Sequence, residues 1–490
     1  MINDKLKNYI YYAIIIAILL TGFLLRLKGY ITNPSFWHDE SALGWNILNK
    51  SYTELFEKLR FLQIAPPMFL ILSKLLVTVT DSYNHVFRCD IVLRTIPFLC
   101  GNLSLIMFYF VAKKLFNSKW AILAGLFLIA LNPVLINYSF EFKPYSADVL
   151  CSLIALYIFL SIDFKNTSQK QILQYSAILA VLPWLSFGSA FVILAGIMAI
   201  SFKKENPKMF IYLLSPVFAS ALLYWHVFVA NSYAQNSKGM IGFWGNAFVN
   251  KDLSNLVQLN QDNLQYFFMK IPDISFALIT VCMLSGLILF IRHKKYMFVM
   301  LSALTFSVLV LASMSKFYPF SQRMILFLMP FVFIFTAKIT DSKNWWLGWI
   351  VFAFLAMPHF KFVQEFCSIK TLNKGDYSRI LMHKMSQEIQ PDEIIIFNGA
   401  SNTDYFYYNM FFKLKNKVEQ IKPQTEDKTE AEQMLNCLPK GKYWFFMPTD
   451  YKHNSVNVNN IKNWIENNKN ASITFEAHTT QSTLIRLTLD

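Results

Sequence analysis

Between Ile10 and Met357 the chain repeats apolar runs long enough to cross a bilayer, a crossing that takes roughly 20 residues, and a chain carrying so many must be built around a membrane. Composition agrees: of 490 residues, 55% are hydrophobic and 15% charged, too apolar a balance for a soluble protein of this size. The polar residues are concentrated in the last 120 or so positions, which read as an ordinary water-soluble domain.

The net charge of +15 does not indicate a nucleic-acid partner. From Thr371 to Asp490 there are 14 basic and 14 acidic residues, so the excess, 31 against 16, lies in the apolar part. There it clusters in alternate loops: Lys5 and Lys7; Lys113, Lys114 and Lys119; Lys165 and Lys170; Lys203, Lys204 and Lys208; Arg292, Lys294 and Lys295; Lys338 and Lys343. By the positive-inside rule these loops are cytoplasmic. Spans placed between them number about eleven, near 9–27, 93–112, 120–138, 145–162, 171–184, 187–202, 209–229, 272–291, 296–314, 324–340 and 345–358. The odd number puts the termini on opposite sides, the C-terminal domain outside. The first span is read as retained rather than cleaved as a signal peptide, because Tyr9 to Leu25 exceeds a signal core and no small-x-small site follows at once.

Pro66 to Val79 is too short to span and breaks the charge parity, so it is expected to lie along or dip into the surface. The division is then 1–360 in the membrane, with a long first outer loop over 28–92, and 361–490 as an outer α/β domain. In that domain strands are expected at Glu393–Phe397 and Lys442–Met447, helices at Tyr405–Lys417 and Ile461–Asn467, and a hairpin over Ser472–Leu489. The six cysteines lack metal-ligand spacing; Cys367 and Cys437 would share the outer side and are the pair to consider for a disulfide.

Ionisable residues recur at the outer ends of the spans. Trp37, His38, Asp39 and Glu40 follow the first span; the adjacent carboxylates suit a general base and its neighbour, or a helix N-terminus that they cap. Glu141, Lys143 and Tyr145 sit between two spans, where an unpaired charge costs about 3 kcal/mol at depth, so they either neutralise each other or line a polar cavity. Tyr318 and Arg323 lead into a later span and Arg94 into the second, each guanidinium being a phosphate ligand or a lipid-facing anchor. A transporter would carry such groups nearer mid-bilayer. An enzyme at the outer interface, acting on a lipid-borne phosphate, fits better.

The ordered elements resemble the GT-C glycosyltransferases, specifically the family 39 group of protein O-mannosyltransferases and aminoarabinose transferases. They are Trp37-x-Asp39-Glu40, then Pro66-Pro67-Met68 opening a juxtamembrane helix, Arg94, the basic turn at Lys113–Lys114, Ser139-x-Glu141-x-Lys143-x-Tyr145, and Tyr318-Pro319 with Arg323 before a span containing Pro330. The likeness covers roughly residues 1–360.

It implies a polytopic α-helical membrane protein, GT-C-like, to which the polarity and pattern of the tail add a C-terminal soluble α/β domain. It also implies transfer of a sugar, with inversion, from a polyprenyl-phosphate donor to a lipid, glycan or protein acceptor at the outer face of a bacterial inner membrane. Asp39 would be the base and Glu40 its neighbour; Glu141, Lys143 and Tyr145 would shape the substrate site, and Arg94 and Arg323 would meet phosphate beside Tyr318. Many relatives carry Lys or His just before the Pro pair, where this chain has Ala65, with Gln63 two residues earlier. No metal site is therefore carried over and no cofactor is expected. The alternatives are a transporter or flippase of a lipid-linked sugar, and a non-catalytic scaffold.

Overall fold

A segment crossing hydrocarbon has no water to bond and must close its backbone hydrogen bonds internally, which makes it a helix. In the computed structural model the described part of each of the eleven expected segments is mainly helical; the residues described are 4–202, 206–233, 239, 241–268, 274–341, 345–368, 378–398, 402–421, 435–448, 458–468, 470–478 and 482–490. Lys203, Lys204 and Lys343 lie outside the described residues. Among the described residues six helices are long and apolar enough to cross a membrane, including Lys5–Thr32, Val86–Leu115 and Tyr296–Met314, and shorter apolar helices such as Tyr145–Ser161 and Phe187–Ser201 accompany them. The chain is a multi-pass membrane protein, mostly helical, with a smaller C-terminal sheet.

The first helices are α1 (Asp4–Thr32), α2 (His38–Asn49), α3 (Pro67–Val79), α4 (Val86–Leu93), α5 (Thr95–Leu115), α6 (Lys119–Leu131), α7 (Pro133–Tyr138) and α8 (Tyr145–Ser161). Two compact units emerge: Met1–Ile31, Tyr52–Ser73 and Arg94–Lys370 form the first, and Thr32–Ser51, Lys74–Leu93 and Thr371–Asp490 the second. The second unit thus takes two stretches of the first outer loop along with the C-terminal segment.

Within the first unit, the expected span over 120–138 is two helices. Pro133 cannot donate the hydrogen bond that the Ile129 carbonyl would receive four residues earlier, so α6 stops and Asn132 caps α7 by accepting from the Leu135 N–H at 3.1 Å. Arg26 of α1, fully buried, supplies the missing donors: its guanidinium reaches the carbonyls of Ala130 at 2.8 Å and Ile129 at 3.2 Å. The Nη atoms of a membrane-buried cation and the carbonyls freed by the break in its neighbour thus partner each other. Close packing elsewhere needs small residues: a Cβ on Gly286 would sit 2.0 Å from the Phe335 carbonyl oxygen.

The basic turns meet at one end of this unit. Lys119 Nζ donates to Asn8 Oδ1 at 2.5 Å, and Lys295 Nζ to the Lys114 carbonyl at 2.9 Å. Asp341 accepts from Lys338 at 2.5 Å and from the Asn117 N–H at 3.3 Å, with His293 3.9 Å away. Four of the clusters read as cytoplasmic therefore share one end. Arg94 sits at the opposite end of α5, roughly 30 Å away at 1.5 Å per residue.

In the second unit a five-stranded sheet has the order β2-β1-β3-β5-β4, with β1 (Ile394–Asn398) parallel to β2 (Val418–Ile421) and β3 (Gly441–Pro448), and β4 (Ala471–His478) and β5 (Ser482–Leu489) forming the hairpin. Ile396, Tyr443, Phe445, Met447, Ile485 and Leu487 fill one side with Trp464. Glu393, fully buried, pairs with Arg486 and accepts from Trp444 Nε1 at 2.6 Å. Helices Ser378–Glu388, Asn402–Phe412 and Val458–Asn467 belong to the same unit. Cys367 and Cys437, the pair considered from sequence, are both free and exposed.

Candidate functional site

In the first unit, the turn from α7 to α8 is pinned by the Ser139 hydroxyl donating to the Ile136 carbonyl at 2.5 Å and the Ser146 hydroxyl to the Tyr138 carbonyl at 2.8 Å. Phe140 and Phe142 are fully buried, and Phe142 stacks on Phe69 of α3 with ring centroids 5.6 Å apart. Between and after these anchors come Glu141 and Lys143, each 7% exposed. Burying two charges that deeply costs free energy unless they are well partnered. The Lys143 ammonium donates to Gln63 Oε1 at 2.6 Å. Two residues read separately in the sequence, 80 positions apart, thus come into contact, and they do so two residues before the buried Ala65.

Tyr145, at the start of α8, packs edge-on against Tyr138 at 5.0 Å, and the Tyr138 and Tyr266 hydroxyls share a hydrogen bond of 2.7 Å. Burial pushes the Tyr266 phenol above its ordinary pKa; the Tyr138 hydrogen bond lowers it, the neighbouring Glu141 carboxylate raises it and Arg323 lowers it. Glu141 and Arg323 are therefore both within electrostatic reach of Tyr266. The Arg323 guanidinium lies over the Trp244 ring, 5.3 Å from its centroid. Tyr318 is buried, stacks edge-on against Phe191 at 5.0 Å and donates to the Met324 carbonyl at 2.8 Å, closing the turn that delivers Arg323. Arg94 is fully buried at the junction of α4 and α5.

Beside Tyr266 is a cavity of about 520 Å³ whose lining includes Trp244, Asn246, Asp262, Gln265 and Gln322. Buried Asn263 braces its wall, donating to the Phe320 carbonyl at 3.2 Å and accepting from the Gln322 N–H at 2.6 Å. Aromatic faces beside amides and a carboxylate are the chemistry that holds a polyhydroxylated ring. Tyr266, Asp262 and Gln265 fall between the expected spans near 209–229 and 272–291, and nothing in the sequence singled them out. The available signal was the helical repeat of Leu256, Leu259, Asn263 and Phe267, of which Leu259, Asn263 and Phe267 are the buried residues of the Leu256–Phe267 helix.

In the second unit, α2 begins with Trp37 as its N-cap. Glu40 reaches back to accept from the Trp37 N–H at 3.4 Å and is fully buried, which is the helix-capping role weighed for this pair. Asp39 is only half-buried. It lies in the first helical turn, where the macrodipole favours the ionised form. The two carboxylates thus have different environments: Glu40 is buried and closes the helix, whereas Asp39 is half-buried in its first turn. His38 Nδ1 is 3.8 Å from Asp404 Oδ2, to which the Ser378 hydroxyl donates at 3.2 Å. Among the described residues, no three His, Cys, Asp or Glu side chains gather as a metal ion would require.

Comparison with solved structures finds the same fold. The crystal structure of ArnT from Cupriavidus metallidurans in the apo state matches with a TM-score of 0.57 over 98% of both chains at 9% identity. The same protein bound to undecaprenyl phosphate matches with a TM-score of 0.57 over 97% of this chain and 98% of that one, at 10% identity. The Archaeoglobus fulgidus oligosaccharyltransferase in the apo form gives a TM-score of 0.48, 14% identity and coverage of 88% and 69%. No family model and no curated protein matches the sequence.

Proposed function

We propose that the chain is a membrane glycosyltransferase that moves a sugar from a polyprenyl-phosphate donor to a lipid, glycan or protein acceptor at the outer face of a bacterial inner membrane. The observation that carries this reading is the gathering of Lys143, Gln63, Glu141, Tyr266 and Arg323 in the first unit, away from the end where the basic turns meet, in a fold shared with ArnT along nearly the whole chain. That the ArnT structure binds undecaprenyl phosphate supports a lipid phosphate as the donor's leaving group. In this reading the odd number of spans expected from the sequence, with the basic turns inside, puts the C-terminal domain on the periplasmic side.

In the proposed reaction, an acceptor oxygen attacks the anomeric carbon from the face opposite the phosphate while the Asp39 carboxylate takes its proton. The bond from the anomeric carbon to the phosphate oxygen breaks, its electron pair leaving with polyprenyl phosphate, and one displacement inverts the centre. Lys143 and Arg323 stabilise the charge gathering on that phosphate. Lys143 thereby supplies the cation that Ala65 withholds from the position before the Pro pair. Arg94, Tyr145 and Tyr318 shape the site, and the sugar ring fits the cavity at Trp244.

The experiment is to reconstitute the full chain in vesicles with undecaprenyl-phosphate monosaccharides labelled in the sugar and a bacterial membrane extract as acceptor. Free undecaprenyl phosphate is measured together with acceptor-bound label. The reading expects both products in equal amounts. Movement of intact labelled donor between leaflets, with neither product, would make the protein a flippase instead.

A further inference from the structure

The second unit ties the helix that carries Asp39 to the C-terminal segment through one buried carboxylate. Asp90, fully buried at the end of the first outer loop, receives Arg379 Nη1 at 2.6 Å, the Tyr407 hydroxyl at 2.7 Å and the Tyr408 hydroxyl at 3.5 Å. Arg379 also donates to the Asn33 carbonyl at 2.7 Å and lies over the Phe87 ring, 4.2 Å from its centroid. An ion pair removed from water costs several kcal/mol per ion unless its remaining hydrogen bonds are satisfied. Two phenols and a guanidinium meet that requirement on the carboxylate side, and they come from a segment about 300 residues later in the chain.

The same phenols grip α2. The Tyr408 hydroxyl, while facing Asp90, accepts from the Phe36 N–H at 2.7 Å, three residues before Asp39. The fully buried Phe36 ring packs 5.2 Å from that of Tyr407. Further along α2, Gly44 admits the Tyr407 ring so closely that a Cβ there would stand 2.7 Å from it. Entry and middle of the helix are thus both fixed by one pair of tyrosines.

We propose that Tyr408, with Tyr407 and Arg379 through Asp90, is a positioning residue that fixes the orientation of the helix carrying Asp39. This gives the C-terminal domain a task in the transfer reaction, and it rests on the assignment of Asp39 as base. Tolerance for a misplaced reacting group is small, of order 1 Å for a 10²-fold loss. Replacing Tyr408 by Phe keeps the ring and removes only the hydroxyl that links Phe36 to Asp90.

The test is a double-mutant cycle on the full chain, using whichever undecaprenyl-phosphate monosaccharide the wild type consumes fastest from a panel. Tyr408→Phe is expected to lower kcat about 10-fold with an unchanged donor KM, and to have no further effect in an Asp39→Asn background. Arg379→Lys should retain more activity than Arg379→Met. Wild-type kcat in Tyr408→Phe, or an equal fractional loss in both backgrounds, would overturn the positioning role while leaving Asp39 as base. Full activity of Asp39→Asn alone would instead overturn the base assignment on which it rests.

Discussion

Replacing Lys143 by Gln removes the charge held against Gln63 while keeping a polar group there. Lys143 is 7% exposed and hydrogen-bonded at 2.6 Å, so its ammonium is preorganised and little screened. A hydrogen bond between a charged group and a phosphate oxygen contributes about 1.5–3 kcal/mol, which corresponds to an affinity change of about 10- to 150-fold. Titration of the full chain with undecaprenyl phosphate, followed by native mass spectrometry, should therefore show a dissociation constant raised by about that factor. Lys113→Gln changes net charge equally at the other end of α5, beyond the Debye length of about 8 Å. It should alter binding by no more than about twofold. Wild-type affinity in Lys143→Gln, or equal weakening in both variants, would refute a phosphate role for this ammonium.

Two further outcomes probe the second unit. Burial holds the phenols of Tyr407 and Tyr408 well above their ordinary range, with Asp90 adding to the shift, and pushes Tyr405 up to about 12. An unfolded tyrosine ionises near about 10, so the stabilisation is complete below that pH and is lost as pH rises through the folded values. Chemical denaturation should show the loss beginning above about pH 10, with phenolate absorbance rising as the unit unfolds; full ionisation at pH 10 in the folded protein would contradict the burial. Gly44→Ala forces a Cβ to within 2.7 Å of the Tyr407 ring. It should cost about 1–3 kcal/mol, read as a lower Tm; an unchanged Tm would show that the ring moves freely.

The helices were legible because hydrocarbon imposes one secondary structure and charge alternation locates its ends. What escaped were breaks and meetings. Asn132-Pro133 was visible as a helix breaker inside the span read over 120–138, yet the apolar run continued across it and hid the boundary. The strand Val418–Ile421 and the helix Ser378–Glu388 were missed because four residues at a sheet edge show no period and the helix has low apolar content. At the site, each ionisable residue stood out singly, but the Lys143–Gln63 contact depends on tertiary packing of Phe69 on Phe142. Asp90 gave no signal beside Arg94, and its partners Arg379, Tyr407 and Tyr408 lie in a domain read as having no catalytic motif. The different burial of Asp39 and Glu40 required the helix start itself, since the sequence offers two adjacent carboxylates.

The most direct measurement is transfer by Asp39→Asn, set against wild type in vesicles containing the preferred labelled undecaprenyl-phosphate monosaccharide and membrane-extract acceptor. The account predicts a loss of at least about 10²-fold in the release of free undecaprenyl phosphate, with donor binding and Tm unchanged. Release at the wild-type rate would contradict it and move the search for the base elsewhere, first to Glu40.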